Sequence, residues 1–205
     1  KNEFDVLQSQ INPHFLYNTL DIIVWMIENE KQADAVKVVT ALARFFRISL
    51  SRGKSIITVR DEIEHVRNYL TIQHMRFKNR FTYGIEADES VMDLASVKLI
   101  LQPLVENALL HGIDIKRQTG KIWISGNVSE GKLILIVKDN GRGMTKEQIR
   151  DLFNSHAKKT NGLSAVGIPN VKERLELYYG TQGGMEYVSS GNGTEVTVFL
   201  PAIYD

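Results

Sequence analysis

"SVKLILQPLVENALLHG", residues 96–112, runs an apolar segment into an amide, an imidazole and a glycine. The spacing predicts a helix from Val97 to His111 that stops at Gly112, a residue suited to a C-terminal cap. At 100° per residue Ile100, Leu104, Asn107, Ala108 and His111 share one face, which sets two polar side chains on an otherwise apolar stripe. Buried polar groups need partners. In an ordinary helix Asn107 would bond a neighbouring loop and His111 would complement the C-terminal dipole.

The rest of the chain argues for more. "KDNGRGM", residues 138–144, ends an apolar strand with a carboxylate and places two glycines around an arginine. Alone it is a common Asp-Asn-Gly turn. A long polar stretch with Lys158, Lys159 and Gly162 follows, and "AVGIPNV", residues 165–171, opens a helix whose free N–H groups and dipole favour phosphate. "GNGTEVTVFLP", residues 191–201, then sets Thr194 at the mouth of the last strand. An Asn-bearing helix, an Asp-Gly-x-Gly turn, a polar loop, a Gly-led helix and a Gly-Thr strand, in that order, form a far more specific set than any one of them.

Around this set the elements alternate. Phe4, Leu7, Ile11, Phe15, Ile22 and Met26 recur at helical spacing, and Val38, Val39, Leu42, Phe45, Phe46 and Leu50 repeat it after the short hinge "ENEKQAD". The pattern predicts an antiparallel helical hairpin, apolar over more than one stripe, for which a four-helix dimer is the economical solution. Gly53 breaks the pattern and marks a boundary, with 1–54 as one domain and 55–205 as the second. A helix from Asp61 to Phe77 comes next, then the strand "FTYGIEA", the quoted helix, the strands "KIWISGNV" and "KLILIVKD", the helix "IPNVKERLELYYG" and the closing strands "GGMEYVSS" and "GTEVTVFLP". This order predicts an α+β fold with helices on one face of a mixed sheet.

Composition narrows the function classes. Lys and Arg number 25 against 24 Asp and Glu, a formal net charge of +1, so no general basic field exists for nucleic acid or an acidic membrane. There is no cysteine, which removes disulfides and thiolate metal sites and suits a reducing cytoplasmic setting. Runs such as "IIVWMI" are too short to cross a bilayer. The opening without Met suggests a piece of something longer. Of five histidines, His65 and His74 fall in a polar helical context and His156 in the polar loop, which reads as exposure to solvent.

"QPLVENALLHG" resembles the N box, "DNGRGM" the Asp-containing box and "VGIPNVKERL" the later glycine box of the ATP-binding domain shared by histidine kinases, gyrase-type topoisomerases, Hsp90 and MutL. "LQSQINPHFLYNTL" is similar to the phosphoacceptor segment of the LytS-like (YesM-like) bacterial sensor histidine kinases, as is "EIEHVRNYLTIQHMRFKNRF" leading into the second domain. The resemblance covers essentially the whole chain. It implies a phosphoacceptor hairpin followed by an α/β sandwich, and an ATP-dependent protein-histidine kinase of a two-component system. Such an enzyme works as a homodimer, autophosphorylates His14 and passes the phosphoryl group to an aspartate of a response-regulator receiver domain. The chain would be the cytoplasmic portion of a parent protein with an upstream transmembrane sensor.

Residue by residue, the resemblance makes Asn107 the ligand of the Mg2+ that bridges the ATP phosphates, with His111 in the same box. Asp139 would accept from the adenine amino group, Gly141 and Gly143 would let the backbone pass close to the base, and Thr194 would add a hydroxyl at the adenine edge. Gly167 would cradle phosphates, with Lys158 or Lys159 as loop cations. Ala165 departs from the family's first glycine, which bears on nucleotide affinity and loop geometry. Phe15 stands where many histidine kinases have an acidic residue. Glu106, projecting away from the Asn107 face, is the candidate base in the ATP domain. Asn18, four residues after His14, would orient the ring or position a water for dephosphorylating a partner. The nucleotide motifs alone would also serve a conformational ATPase or a serine kinase on the same fold, and Ala165 leaves room for a dimerisation scaffold with a degenerate nucleotide site.

Asn12-Pro13 by itself reads as a helix start, with Asn12 as cap and Pro13 in the first position. The apolar stripe running from Phe4 through Ile11 into Phe15, with the family resemblance, favours instead one long helix kinked at Pro13, at a cost of about 3 kcal/mol or more. The kink would act as a hinge beside His14.

Overall fold

The structure, a computed structural model, describes residues 12–154 and 167–204. Phe4, Leu7 and Ile11 at one end, and His156, Lys158, Lys159, Gly162 and Ala165 in the polar loop, lie outside the described residues. Helix α1 (Pro13–Glu28) begins where proline does no harm. Asn12 is extended (φ −73°, ψ 108°), its side-chain oxygen accepts from His14 N and Phe15 N, and Pro13 sits in the first turn. The expected kinked helix is thereby corrected, since an extended Asn12 interrupts the helical path at that residue. Helix α2 (Gln32–Leu50) folds back on α1 as the expected hairpin and ends at Ser51, whose φ of 40° leads into a 3-10 turn closed by Gly53.

A short strand β1 (Ile56–Thr58) and helix α3 (Val59–Arg76) follow, with Thr58 capping the helix by accepting from Asp61 N. Strand β2 (Phe81–Ala87) comes next. β1 pairs antiparallel with β3 (Ala95–Val97), which draws Val97 out of the helix expected to start there. Leu99 turns with φ 62°, and helix α4 (Leu101–Asn107) begins only two residues later. Beyond Asn107 the backbone widens into a π turn, Ala108–Gly112, so Gly112 lies inside the turn rather than capping an α-helix.

Strands β4 (Gly120–Ser129), β5 (Lys132–Asp139), β6 (Gly184–Ser190) and β7 (Gly193–Pro201) join β2 in a five-stranded sheet of order β2-β4-β5-β7-β6, parallel only between β2 and β4. Alternation along the strands turns Ile122, Ile124, Leu133, Leu135, Val137, Val196, Val198 and Leu200 inward. Against them pack α4 and α6 (Gly167–Tyr179) through Leu104, Val105, Ala108, Ile168, Val171 and Leu175. Between β5 and α6 lies α5 (Lys146–Asn154), a helix not expected in that polar stretch. It starts with a reciprocal pair, Thr145 N donating to Gln148 Oε1 at 2.9 Å and Gln148 N to Thr145 Oγ1 at 3.1 Å.

The hairpin closes on α3 through aromatic side chains. Phe45 lies 5.0 Å from Phe15 and stacks 4.1 Å from His65, and Phe15 meets Tyr69 at 5.1 Å. His65 is therefore not a surface group. It is 2% exposed, with a ring nitrogen 2.8 Å from Ser49 Oγ. Among the described residues no helix is long and apolar enough to cross a membrane.

Burial, and then the nearby Lys98 ammonium, push the His65 ring down from 6.5 to about 3. Between these values the unfolded chain carries a proton on this ring that the folded chain refuses, so this group lowers stability as pH falls through the interval. A His65→Gln variant, which keeps a polar end for Ser49, is expected to lose Tm less steeply than the parent between pH 6.5 and pH 4; parallel profiles would show that His65 is not the group involved.

Candidate functional site

One row of the sheet positions the site. Ile122, Asp139, Thr194 and Ser189 are paired neighbours across β4, β5, β7 and β6, and paired residues share a face, so Asp139 sits at the inward end of β5 among the helices. It is 3% exposed. Burial pushes its carboxyl up, against the N–H groups of Gly141 and Thr194 that hold it down; Gly141 N donates to Oδ1 at 2.8 Å. A buried carboxylate presented by a strand end is an acceptor for a neutral donor such as an amino group.

The turn after Asp139 is shaped by what has no room for a side chain. A Cβ on Gly141 would lie 1.9 Å from the Gly112 carbonyl oxygen, and one on Gly143, whose φ is 69°, would lie 1.7 Å from that of Ser190. Gly112 presses against the Asp139 carboxyl, which a side chain there would meet at 2.8 Å. Arg142 N donates to Gly112 O at 3.2 Å, tying the π turn to the loop. Beside this contact opens a cleft of about 850 Å3, lined by His111, Gly112, Asn140, Gly141, Arg142 and Gly191 among others. Desolvation, then the Arg142 guanidinium, push the His111 imidazole down, so its neutral form is favoured there.

Asn107, at the end of α4, donates from Nδ2 to the Tyr187 hydroxyl at 3.3 Å. That bond commits the amide nitrogen and leaves the carbonyl oxygen as a hard ligand of the kind Mg2+ accepts alongside phosphates and water. Thr194 pairs with Ser189 Oγ at 2.8 Å, and Ser189 in turn accepts from Met144 N at 2.6 Å. Gly167 opens α6 with its Cα facing Pro103 of α4; a Cβ would lie 3.0 Å from the proline Cβ. Asn107, Asp139, Gly141, Gly143 and Thr194 thus gather at one end of the sheet, with His111 on the cleft side and Gly167 against Pro103 of α4. Lys158 lies outside the described residues.

His14 stands on α1, exposed, in its first turn. Asn18, one turn on and half-buried, lines a separate cleft of about 1010 Å3 with Asp21, Trp25 and His74. Glu106 faces neither His111 nor Tyr187; its Oε1 accepts from Asn12 Nδ2 at 3.0 Å. Burial pushes the Glu106 carboxyl up and the Asn12 bond pulls it back.

Tyr187 and Ser189 were not expected at the site. The signal was present, because the "GNG" turn fixes a register in which Ser189 faces Thr194 and Tyr187, two residues back, shares that face. Burial, opposed by the Asn107 bond, pushes the Tyr187 phenol up to about 12, so it stays a neutral donor and acceptor.

The family model "Histidine kinase-, DNA gyrase B-, and HSP90-like ATPase" matches residues 92–203, and the model "Histidine kinase" matches residues 2–81. Sensor histidine kinase YesM of Bacillus subtilis is 33% identical over 98% of the chain, sensor histidine kinase BtsS of Escherichia coli 32% over 98%, and sensor protein LytS of Staphylococcus epidermidis 28% over 97%. The chain spans about a third of the length of these curated relatives, 33% of YesM and 34% of the other two. Among solved structures, the catalytic domain of histidine kinase ThkA superposes with a TM-score of 0.58 at 18% identity, over 72% of this chain and 95% of its own. The histidine kinase domain of the blue-light activated kinase EL346 of Erythrobacter litoralis superposes with a TM-score of 0.51 at 17% identity, over 98% of this chain and 93% of its own. These likenesses establish the same fold.

Tyr187→Phe removes one hydrogen bond from Asn107 without opening a cavity. It is expected to weaken nucleotide binding about fivefold in Mg2+, the worth of ~1 kcal/mol, and to change binding little in EDTA. Equal weakening in both media would show that Tyr187 does not act through Asn107.

Proposed function

Because the chain belongs to the histidine kinase-, DNA gyrase B- and HSP90-like ATPase family, on its histidine kinase branch, we propose that it is the catalytic region of an ATP-dependent protein-histidine kinase of a two-component system. The observation that carries this reading is the Asp139 carboxylate, buried yet held by two N–H groups and flanked by Gly112 and Gly141 at the edge of a cleft. Its accepting oxygens suit the adenine amino group and disfavour guanine, which presents an acceptor at that position. Thr194 lies in register beside it for a second contact at the base.

Bound Mg2+ would neutralise charge on the phosphates as it builds during transfer. Asn107 Oδ1 is the atom that would hold it, and Gly167 at the start of α6, with Lys158 from the loop, would meet phosphate oxygens. His14, in its neutral form, attacks the γ-phosphorus with a ring nitrogen. The N–P bond forms as the bond from phosphorus to the bridging oxygen breaks, ADP leaves with that electron pair, and the ring then releases its other N–H proton. A receiver-domain aspartate later attacks the same phosphorus and the ring nitrogen departs. Asn18, on the face of α1 that carries His14, orients the ring. Glu106, whose bonded partner is Asn12, is assigned to holding the helix and not to removing the ring proton.

The apolar surface of the hairpin supports a homodimer. Tyr17, Val24, Ile27, Val36 and Val39 are exposed on α1 and α2, more than a helical pair would leave in water without a second copy. Residues 1–54 would form this dimerising phosphoacceptor unit and 55–205 the nucleotide unit. In a parent chain of the relatives' length, the remainder would hold a membrane-anchored sensor.

Incubation with γ-labelled ATP and Mg2+ is expected to place acid-labile, base-stable label on the protein, lost in His14→Gln. Hydrolysis of ATP with no label on the protein would favour an ATPase, acid-stable label a serine kinase, and no nucleotide binding a scaffold.

A further inference from the structure

Glu106 and Asn107 are consecutive on α4, so their side chains leave the helix about 100° apart. Asn107 turns towards Tyr187 and the nucleotide end of the sheet, and Glu106 towards the start of α1, where Asn12 Nδ2 donates to it at 3.0 Å. The oxygen of the same Asn12 amide accepts from His14 N at 3.0 Å and Phe15 N at 3.3 Å. One side chain therefore fixes the first turn of the helix that bears His14 and joins it to α4, one residue from the proposed metal ligand. On the other side Phe15 is anchored between Phe45 and Tyr69. The start of α1 is thus held by an apolar contact to α2 and α3 and by a polar one to α4.

We infer that Asn12 is a positioning residue for phosphoryl transfer, clamping the first turn of the histidine-bearing helix onto α4 through Glu106. The inference rests on His14 being the phosphoacceptor. The residue type fits the task. Asp would cap the helix as well as Asn does but carries no donor, whereas the amide caps with its oxygen and donates from a separate nitrogen. Transfer from ATP to the ring depends on how the ring nitrogen and the γ-phosphorus are placed, so loosening this clamp reduces turnover more than nucleotide affinity.

Three variants of the whole chain separate the possibilities. Asn12→Asp keeps the cap and sets a carboxylate against Glu106. Its rate of His14 labelling at saturating ATP is expected to fall about tenfold, while KM for ATP stays within about twofold. Glu106→Gln retains an acceptor oxygen and is expected to label within about threefold of the parent. N12D/E106Q rebuilds the bond in the opposite sense, the Gln amide donating to Asp, and recovers most of the rate. Thermal unfolding of the same four proteins forms a double-mutant cycle that reads the contact without reference to catalysis.

A parental rate in Asn12→Asp, a double variant no faster than Asn12→Asp, or no coupling in the unfolding cycle would each overturn the inference. So would a Glu106→Gln that abolishes labelling and is not relieved in the double variant, the behaviour of a catalytic base. If the parent itself takes no label on His14, the phosphoacceptor reading fails. That failure is seen in the parent alone and removes the inference with it.

Discussion

A buried carboxylate on α3 fixes the start of α4, the helix that carries Glu106 and Asn107. The start of α4 has no capping side chain of its own. Instead Glu62 accepts from the backbone N–H groups of Leu99, Ile100 and Leu101, the last two at 3.0 Å. Burial pushes its carboxyl up, and those three bonds, with the Arg174 guanidinium, pull it down. An anion at a helix N-terminus satisfies donors that would otherwise be orphaned and complements the dipole. Arg174 of α6 donates to the carbonyls of Lys98 and Leu99, and the Tyr179 hydroxyl accepts from Val97 N at 3.0 Å. Helices α3, α4 and α6 are therefore fastened together at one point.

From that point the rest follows by chain geometry. With the first turn of α4 fixed, Glu106 and Asn107 emerge in two set directions, and the π turn beyond them carries Gly112 to the Asp139 carboxyl. Besides its packing on α3, the hairpin makes two polar contacts with the α4 segment and the turn before it. Lys98 Nζ donates to Ser49 O at 2.9 Å near the end of α2, and Asn12 donates to Glu106 at the start of α1. His65, stacked on Phe45 and bonded to Ser49, lies beside the first of these attachments. Helix α1 and the Asp139 end of the sheet thus share one strut, α4.

Much of this was legible in the sequence. Apolar periodicity placed the hairpin, α3, the five strands of the large sheet and α6, because each buries a regular stripe. The Asp-x-Gly-x-Gly turn drew attention to Asp139, Gly141 and Gly143 because it stands in order with the Asn-bearing helix, the Gly-led helix and the Gly-Thr strand. Long-range constraints were not legible. The helix expected from Val97 starts at Leu101 because β3 claims Ala95–Val97 and Leu99 adopts a left-handed turn, neither of which periodicity reports. His65 reads as polar-surface on its own helix and is buried only because Phe45 covers it. The helix α5 was missed although its Thr145-x-x-Gln148 pair is a start signal, since the surrounding charge suggested a loop. The kinked helix gave too much weight to an apolar stripe and too little to Asn12, whose cap is the simpler use of an Asn-Pro pair.

Glu62, whose carboxylate bonds the backbone before and at the start of α4, sets the place of Asn107 by setting that helix. Amide hydrogen exchange in Glu62→Ala, read at Leu99, Ile100 and Leu101 together with ATP binding on the same sample, tests it most directly. These three amides are expected to lose protection and nucleotide affinity to fall with them, while the strands β5 and β7 keep their protection. Full protection of the three amides, or lost protection with unchanged ATP affinity, would contradict it.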